Sequence, residues 1–174
     1  MSVSKYTPPA TVFAAGHANV GSLFHAAAAA RPEHTAIVDG ERTLTYSQLE
    51  ARSNQLANAF VALELERHDR VAILASNCAE YFEVELAAAK AGVIVAALNW
   101  RLGDRELRHC IELVSPRLLI TTETLSENLD RLNVGSVQRV VIGAEYEAML
   151  ANATSDYPDL TVDSEDGLVI LYTS

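Results

Sequence analysis

The sequence predicts an α/β fold: a mostly parallel sheet flanked by helices, with a small β-hairpin near the amino terminus. Three observations carry that expectation. From Asp69 onward, short apolar runs alternate with stretches of helical periodicity, the pattern of strand–helix–strand units joined by right-handed crossovers. The runs at residues 71–75 and 93–98 are almost continuously apolar rather than alternating, as strands covered on both faces are. Ahead of them, Asp39-Gly40 sits between two β-prone runs, a short-range hairpin cue.

Each element has a local reason. Residues 1–18, with Pro8 and Pro9, read as a loosely held arm ahead of a domain over 19–174. A helix begins near Asn19 to Ser22 and runs through Leu23, Phe24 and the alanines at 26–30, because alanine loses no side-chain entropy on becoming helical; Pro32 stops it. Residues 35–38 and 42–45 make the hairpin. Thr45 and Gln48 then have capping-box spacing. Leu49, Leu56, Ala57, Phe60 and Leu63 recur on one face of the helix that follows, leaving Arg52, Asn54 and Gln55 away from it. After the strand at 71–75, Asn77 is the expected N-cap, and the helix closes at Gly92, where a left-handed residue is needed. The order continues with a strand at 93–98, a helix at 104–114 ended by Pro116, a strand at 117–121 and a helix at 125–132. A strand at 139–142, a weak helix at 146–153 and an apolar run at 168–172 complete it, with no internal repeat.

Composition narrows the function classes. A chain of 174 residues with 49% hydrophobic content suits one domain or a lobe of a larger one. A net charge of −10 excludes a nucleic-acid surface, which needs clustered Lys and Arg. The stretch after Gly143 carries seven acidic residues and no Lys or Arg, and reads as a solvated connection. Cys78 and Cys110 lack metal or redox spacing and are expected as reduced residues in or near the core of a cytoplasmic protein. The five histidines lack zinc spacing. Neither a signal peptide nor a transmembrane segment is visible, so a soluble protein is expected.

In open α/β sheets, ligands gather outside the carboxyl ends of the strands. That singles out the loops after Ala75 and Leu98, and the end of the last strand at Thr173-Ser174. Hydroxyls with successive backbone amides at a strand end can cradle phosphate; on local grounds alone the pair is more often a plain turn.

Four segments, in order and correctly spaced, make the chain resemble the amino-terminal portion of the adenylate-forming superfamily, in its acyl-CoA synthetase (fatty-acid–CoA ligase) branch. Leu44-Thr-Tyr-Ser-Gln-Leu49 is similar to the family's Leu-Thr-Tyr-x-Glu-Leu segment. Asp69-Arg-Val-Ala-Ile-Leu with Asn77 resembles its Gly-Asp-Arg-Val strand and Pro-Asn loop. Ala89-Lys-Ala-Gly-Val-Ile-Val-Ala-Ala-Leu-Asn99 resembles its Lys-Ala-Gly-x-x-x-x-Pro-Leu-Asn strand, and residues 166–174 resemble the approach to its Tyr-Thr-Ser-Gly phosphate loop. The resemblance implies one part of a larger multi-subdomain enzyme using ATP, Mg2+ and coenzyme A. That enzyme joins a small-molecule carboxylic acid to coenzyme A, while this stretch alone is inactive. It implies Thr173 and Ser174 at the ATP phosphates. No residue of the chain is assigned to catalysis or to a metal.

Asn99-Trp-Arg-Leu102 is similar to the Leu-Asn-x-Arg-Leu segment of many acyl-CoA synthetases, which makes Arg101 a candidate for a coenzyme A phosphate. An exposed loop arginine, or a salt bridge from Arg101 to Asp104 or Glu106, is the other reading. Lys90 reads as a solvated surface charge, Tyr81 and Phe82 as core residues, and Trp100 as either a packing anchor or part of an approach to the site. Glu64 and His68 stand where the family has glycines, which implies a differently shaped helix end; Ala97 replaces its proline. A non-catalytic α/β binding or interaction module stays open beside the ligase, whereas a Rossmann dehydrogenase lacks its Gly-x-Gly-x-x-Gly. The acid substrate and any homo-oligomer are not legible.

Overall fold

The computed structural model describes residues 18–132 and 134–172. The expected arm therefore falls, apart from Ala18, outside the described residues. Helix α1 (Val20–Ala30) starts where the Asn19 side chain accepts from the Ser22 N–H at 2.8 Å. Strands β1 (Thr35–Asp39) and β2 (Arg42–Thr45) pair antiparallel. The tip is one residue later than Asp-Gly suggests: Asp39 pairs with Arg42, and Gly40, at φ 59°, turns the chain with Glu41. Helix α2 (Tyr46–Ala62) opens on the expected capping box. The Gln48 N–H donates to Thr45 Oγ1 at 3.2 Å, and the Thr45 N–H donates to Gln48 Oε1 at 2.8 Å.

The main sheet is parallel and five-stranded, ordered β6-β5-β3-β4-β7. Its strands are β3 (Arg70–Leu74), β4 (Ile94–Ala97), β5 (Leu118–Thr121), β6 (Gln138–Val141) and β7 (Val169–Leu171). In the central strand, Val71 stands beside Val95 on one side and Leu118 on the other. Side chains alternate across the sheet, so Val71 and Ile73 enter one core while Ala72 and Leu74 enter the other. Leu56 and Phe60 of α2, Val84 of α3 (Ala79–Ala91) and Tyr146 of α6 (Ala144–Ala151) fill the first core. Leu107 and Ile111 of α4 (Asp104–Val114), with Leu129 and Leu132 of α5 (Glu123–Leu132), fill the second. Covering both faces explains the unbroken apolar runs. Among the described residues, no helix is long and apolar enough to cross a membrane.

Helix α1 approaches α3 closely at Gly21, where an added Cβ would sit 2.8 Å from Lys90 Cγ and 3.1 Å from the Ala89 carbonyl carbon. Gly21→Ala is therefore expected to lower stability by about 1–3 kcal/mol through overpacking, outweighing alanine's helix preference. The urea midpoint of the variant against the parent measures it.

Several sequence expectations are corrected. Asn77 does not cap α3; Cys78 occupies the cap without a side-chain bond, and Asp39 Oδ2 at the hairpin accepts from the Ala79 N–H at 3.0 Å instead. Lys90 is buried, not solvated, and Asn54 is buried with it because each needs the other. Phe82 is 54% exposed beside an apolar groove lined by Val20, Phe24 and Tyr46, whereas Tyr81 packs on the core as expected. Glu64 (φ 58°) and His68 (φ 72°) adopt the left-handed conformation that glycine favours. The helix end is thus not reshaped; two non-glycine residues hold the left-handed geometry.

The acidic connection is solvated, with six of its seven acidic residues exposed, and it is fastened as well. Residues 152–168 run from α6 to β7, at opposite sides of the sheet, and form a strap. Asn54 Nδ2 donates to the Ser155 carbonyl at 3.0 Å, Asn58 Nδ2 to those of Thr154 and Asp156 at 2.9 Å each, and Asn19 Nδ2 to that of Val162 at 3.2 Å. Near its end, Asp166 accepts two bonds from Arg67 at 2.8 and 2.6 Å and contacts His68 at 2.9 Å. Arg67 and then His68 hold the Asp166 carboxyl well below the usual carboxylate range.

Candidate functional site

Helix α3 leaves the end of β3 toward the first core, while α4 leaves the end of β4 toward the second. Neighbouring parallel strands whose connections diverge to opposite faces open a crevice at their carboxyl ends. Here the crevice is a cleft of about 600 Å³. Its three walls are the three segments singled out from sequence. Ala75, Ser76 and Asn77 follow β3, Leu98 to Arg101 follow β4, and Leu171 and Tyr172 come from β7. Tyr81 adds an aromatic ring from α3, which periodicity alone assigned to the core.

The loop after β4 is tightly turned. Asn99 Oδ1 accepts from the Arg101 N–H at 3.0 Å, and the Asn99 carbonyl accepts from the Leu102 N–H at 3.2 Å. Arg101 is exposed, and its guanidinium carbon lies 4.8 Å from the centre of the Trp100 ring. Among the described residues no carboxylate lies within salt-bridge reach of Arg101. Glu106 instead accepts from the Gly103 N–H at 3.0 Å, at the start of α4. The salt-bridge reading of Arg101 therefore lacks a partner, in a chain with 23 acidic and 13 basic side chains. Arg101 is also the only charged side chain among the described residues lining the cleft.

Thr173 and Ser174 lie outside the described residues. Tyr172, just before them, donates its hydroxyl to the Cys110 carbonyl at 2.9 Å and so ties the end of β7 to α4. Burial pushes the thiol of Cys78, next to the β3 loop, up to about 11, which disfavours its thiolate at neutral pH. Among the described residues, no group of three or more His, Cys, Asp or Glu side chains comes together as a metal site.

Fold and cleft together define an α/β domain with an open cleft at the carboxyl edge of its parallel sheet. The family model for AMP-binding enzymes matches residues 24–174, and the chain belongs to that family. The chain is similar to a feruloyl-CoA synthase of Amycolatopsis, 36% identical over 143 residues that make up 82% of this chain and 28% of that protein. It is similar as well to the long-chain-fatty-acid–CoA ligase FadD13 of Mycobacterium tuberculosis, 26% identical over 90% of this chain and 32% of the relative. In three dimensions it matches the N-terminal domain of FACL13 from Mycobacterium tuberculosis with a TM-score of 0.82 and 27% identity, covering 90% of this chain and 42% of that one. The chain thus spans about a third or less of the length of these two curated relatives. The resemblance read from four sequence segments stands, as does the fold class.

Proposed function

We propose that this chain belongs to an AMP-forming acid–thiol ligase, which activates a carboxylic acid as its acyl-adenylate and passes the acyl group to coenzyme A. One observation carries the reading most: three strand ends, including the one leading to Thr173-Ser174, meet at a single cleft in which Arg101 is the only charged lining side chain among the described residues and has no carboxylate partner among them. In the first half-reaction a carboxylate oxygen bonds to the α-phosphorus of ATP as the bond to pyrophosphate breaks. In the second, the thiol sulfur bonds to the acyl carbon, AMP leaves with the electron pair, and the thiol proton passes to solvent.

Thr173 and Ser174 hydroxyls and amides would donate to the ATP phosphates, and Arg101 to a coenzyme A phosphate through its in-plane N–H donors. Mg2+ is expected to arrive with the ATP phosphates. The relatives' names cover aromatic and fatty acids, and both classes are candidate substrates. Because the chain spans under half of its relatives, the 174 residues alone are expected not to complete the reaction. The free cysteines fit a cytoplasmic setting.

ATP–pyrophosphate exchange by the full-length protein, run against fatty, aromatic and short acids, tests the reading. Exchange dependent on one acid class supports it and identifies the substrate. No exchange with any acid from folded protein would return the chain to the non-catalytic binding modules. In the same protein, Arg101→Ala is expected to raise the KM for coenzyme A roughly ten-fold or more, the scale of a lost charge-assisted hydrogen bond, while adenylate formation persists. An unaltered coenzyme A dependence would remove Arg101 from the site.

A further inference from the structure

We infer that Trp100 is a positioning residue, whose indole holds the Arg101 guanidinium in place over the cleft for a phosphate of the acceptor thiol. The inference deepens the ligase reading above and rests on it. Packing gives no account of Trp100: it is 44% exposed and joins none of the three apolar clusters among the described residues. What it does touch is Arg101, at 4.8 Å from ring centre to guanidinium carbon.

Two devices thus converge on one side chain. The Asn99 carboxamide fixes the Arg101 backbone through the 3.0 Å bond to its N–H, and Trp100 fixes the far end of the same residue. An exposed arginine ordinarily loses much rotamer freedom when a ligand captures it. Stacking restricts those rotamers beforehand, so less freedom is lost on binding. The geometry also leaves the ligand its share of the guanidinium. An aromatic ring attracts the cation through its face, while a phosphate takes the N–H donors at its edge, so both are held together. A carboxylate partner would compete for those same donors, and none of the described residues supplies one.

Acyl transfer by the full-length protein, at saturating ATP and acid, tests this with Trp100→Leu, Trp100→Phe and Arg101→Ala. Trp100→Leu removes the π face and is expected to raise the KM for coenzyme A about five-fold with kcat held. Trp100→Phe keeps a π face and should hold KM within about two-fold of the parent. In the Arg101→Ala background, Trp100→Leu should add nothing further, because the two act through one contact. An equal rise in that background, or no rise from Trp100→Leu where Arg101→Ala raises KM, would overturn the inference.

A second readout does not depend on activity. Trp100 is the only tryptophan of the 174-residue chain, so its emission should change on Arg101→Ala; identical emission would dismiss the stack. A full-length protein without ATP–pyrophosphate exchange would instead sink the ligase reading and this role of Trp100 with it, even where the emission change is seen.

Discussion

Glu83→Ala is expected to lower stability by about 3–5 kcal/mol, the scale of breaking a buried ion pair from one side. Glu83 is fully buried on α3. It accepts from Arg52 Nε at 2.6 Å, Arg52 Nη2 at 3.1 Å and the Tyr146 hydroxyl at 2.8 Å, with Arg42 Nη2 at 3.4 Å. Truncation leaves the fully buried Tyr146 phenol without its acceptor and the Arg52 guanidinium with Glu147 in place of two carboxylates. Glu83→Gln keeps the volume and one acceptor oxygen, and should cost clearly less. Chemical denaturation of the two variants gives the comparison; equal losses would mean that volume rather than charge matters at this position.

The same cluster predicts an acid limb. Hydrogen bonds from Arg52 hold the Glu147 carboxyl below its ordinary value, against the opposing effect of burial. A depressed folded-state pKa means that the unfolded chain binds the proton more readily. The stability contributed is complete above the ordinary carboxylate range and is lost as pH falls through the folded value. Asp166, held down by Arg67 and His68, acts in the same sense.

Lys90→Met is the second large expected effect, at about 3 kcal/mol or more of lost stability. The Lys90 ammonium donates to Glu50 Oε2 at 2.8 Å, Ser53 Oγ at 2.6 Å and Asn54 Oδ1 at 2.8 Å, which uses all three of its protons. Its Nζ also lies 5.7 Å from the ring centres of Phe24 and Tyr157, joining α1 and the strap to the same charge. Methionine fills the channel yet leaves the Glu50 carboxylate with only His25 beside it, at 2.7 Å. Adding Glu50→Gln should recover part of the loss, because the stranded charge is then gone. Failure to recover would assign the loss to packing. Burial lowers the Lys90 pKa, with Glu50 opposing. Proton release therefore favours the folded state across the interval between the folded and free values, and that rise in stability with pH should vanish in Lys90→Met.

These residues mark where the sequence stopped being readable. The capping box of Thr45 and Gln48, the hairpin and the left-handed Gly92 were legible because each is decided within a few neighbouring residues. Helix α3 was misread at its start because its cap comes from Asp39, on the hairpin. Lys90, Asn54 and Glu83 have partners dozens of positions away, and no periodicity reports such a pairing. A lysine in the last turn of a helix is ordinarily solvated, and the packing of α2, α1 and the strap around α3 buries this one. The site divides in the same way. Strand ends marked the three walls of the cleft, but that Arg101 has no carboxylate and Trp100 no core among the described residues could be seen only with the side chains in space.

The strap has a kinetic consequence. Strand β7 bonds only to β4, yet the chain first completes β5, β6 and α6 and then passes α2 and α1 before it arrives. Such a long closure is slow, and its gain comes only at the end. The strap is held by side-chain amides donating to its carbonyls and by the exposed Arg67 and His68, while Leu168 at its end and Val169 pack on the first core and Ile170 and Tyr172 on the second. The third wall of the cleft is therefore expected to close late in folding, and a ligand gripping both β4 and β7 would stabilise that closure.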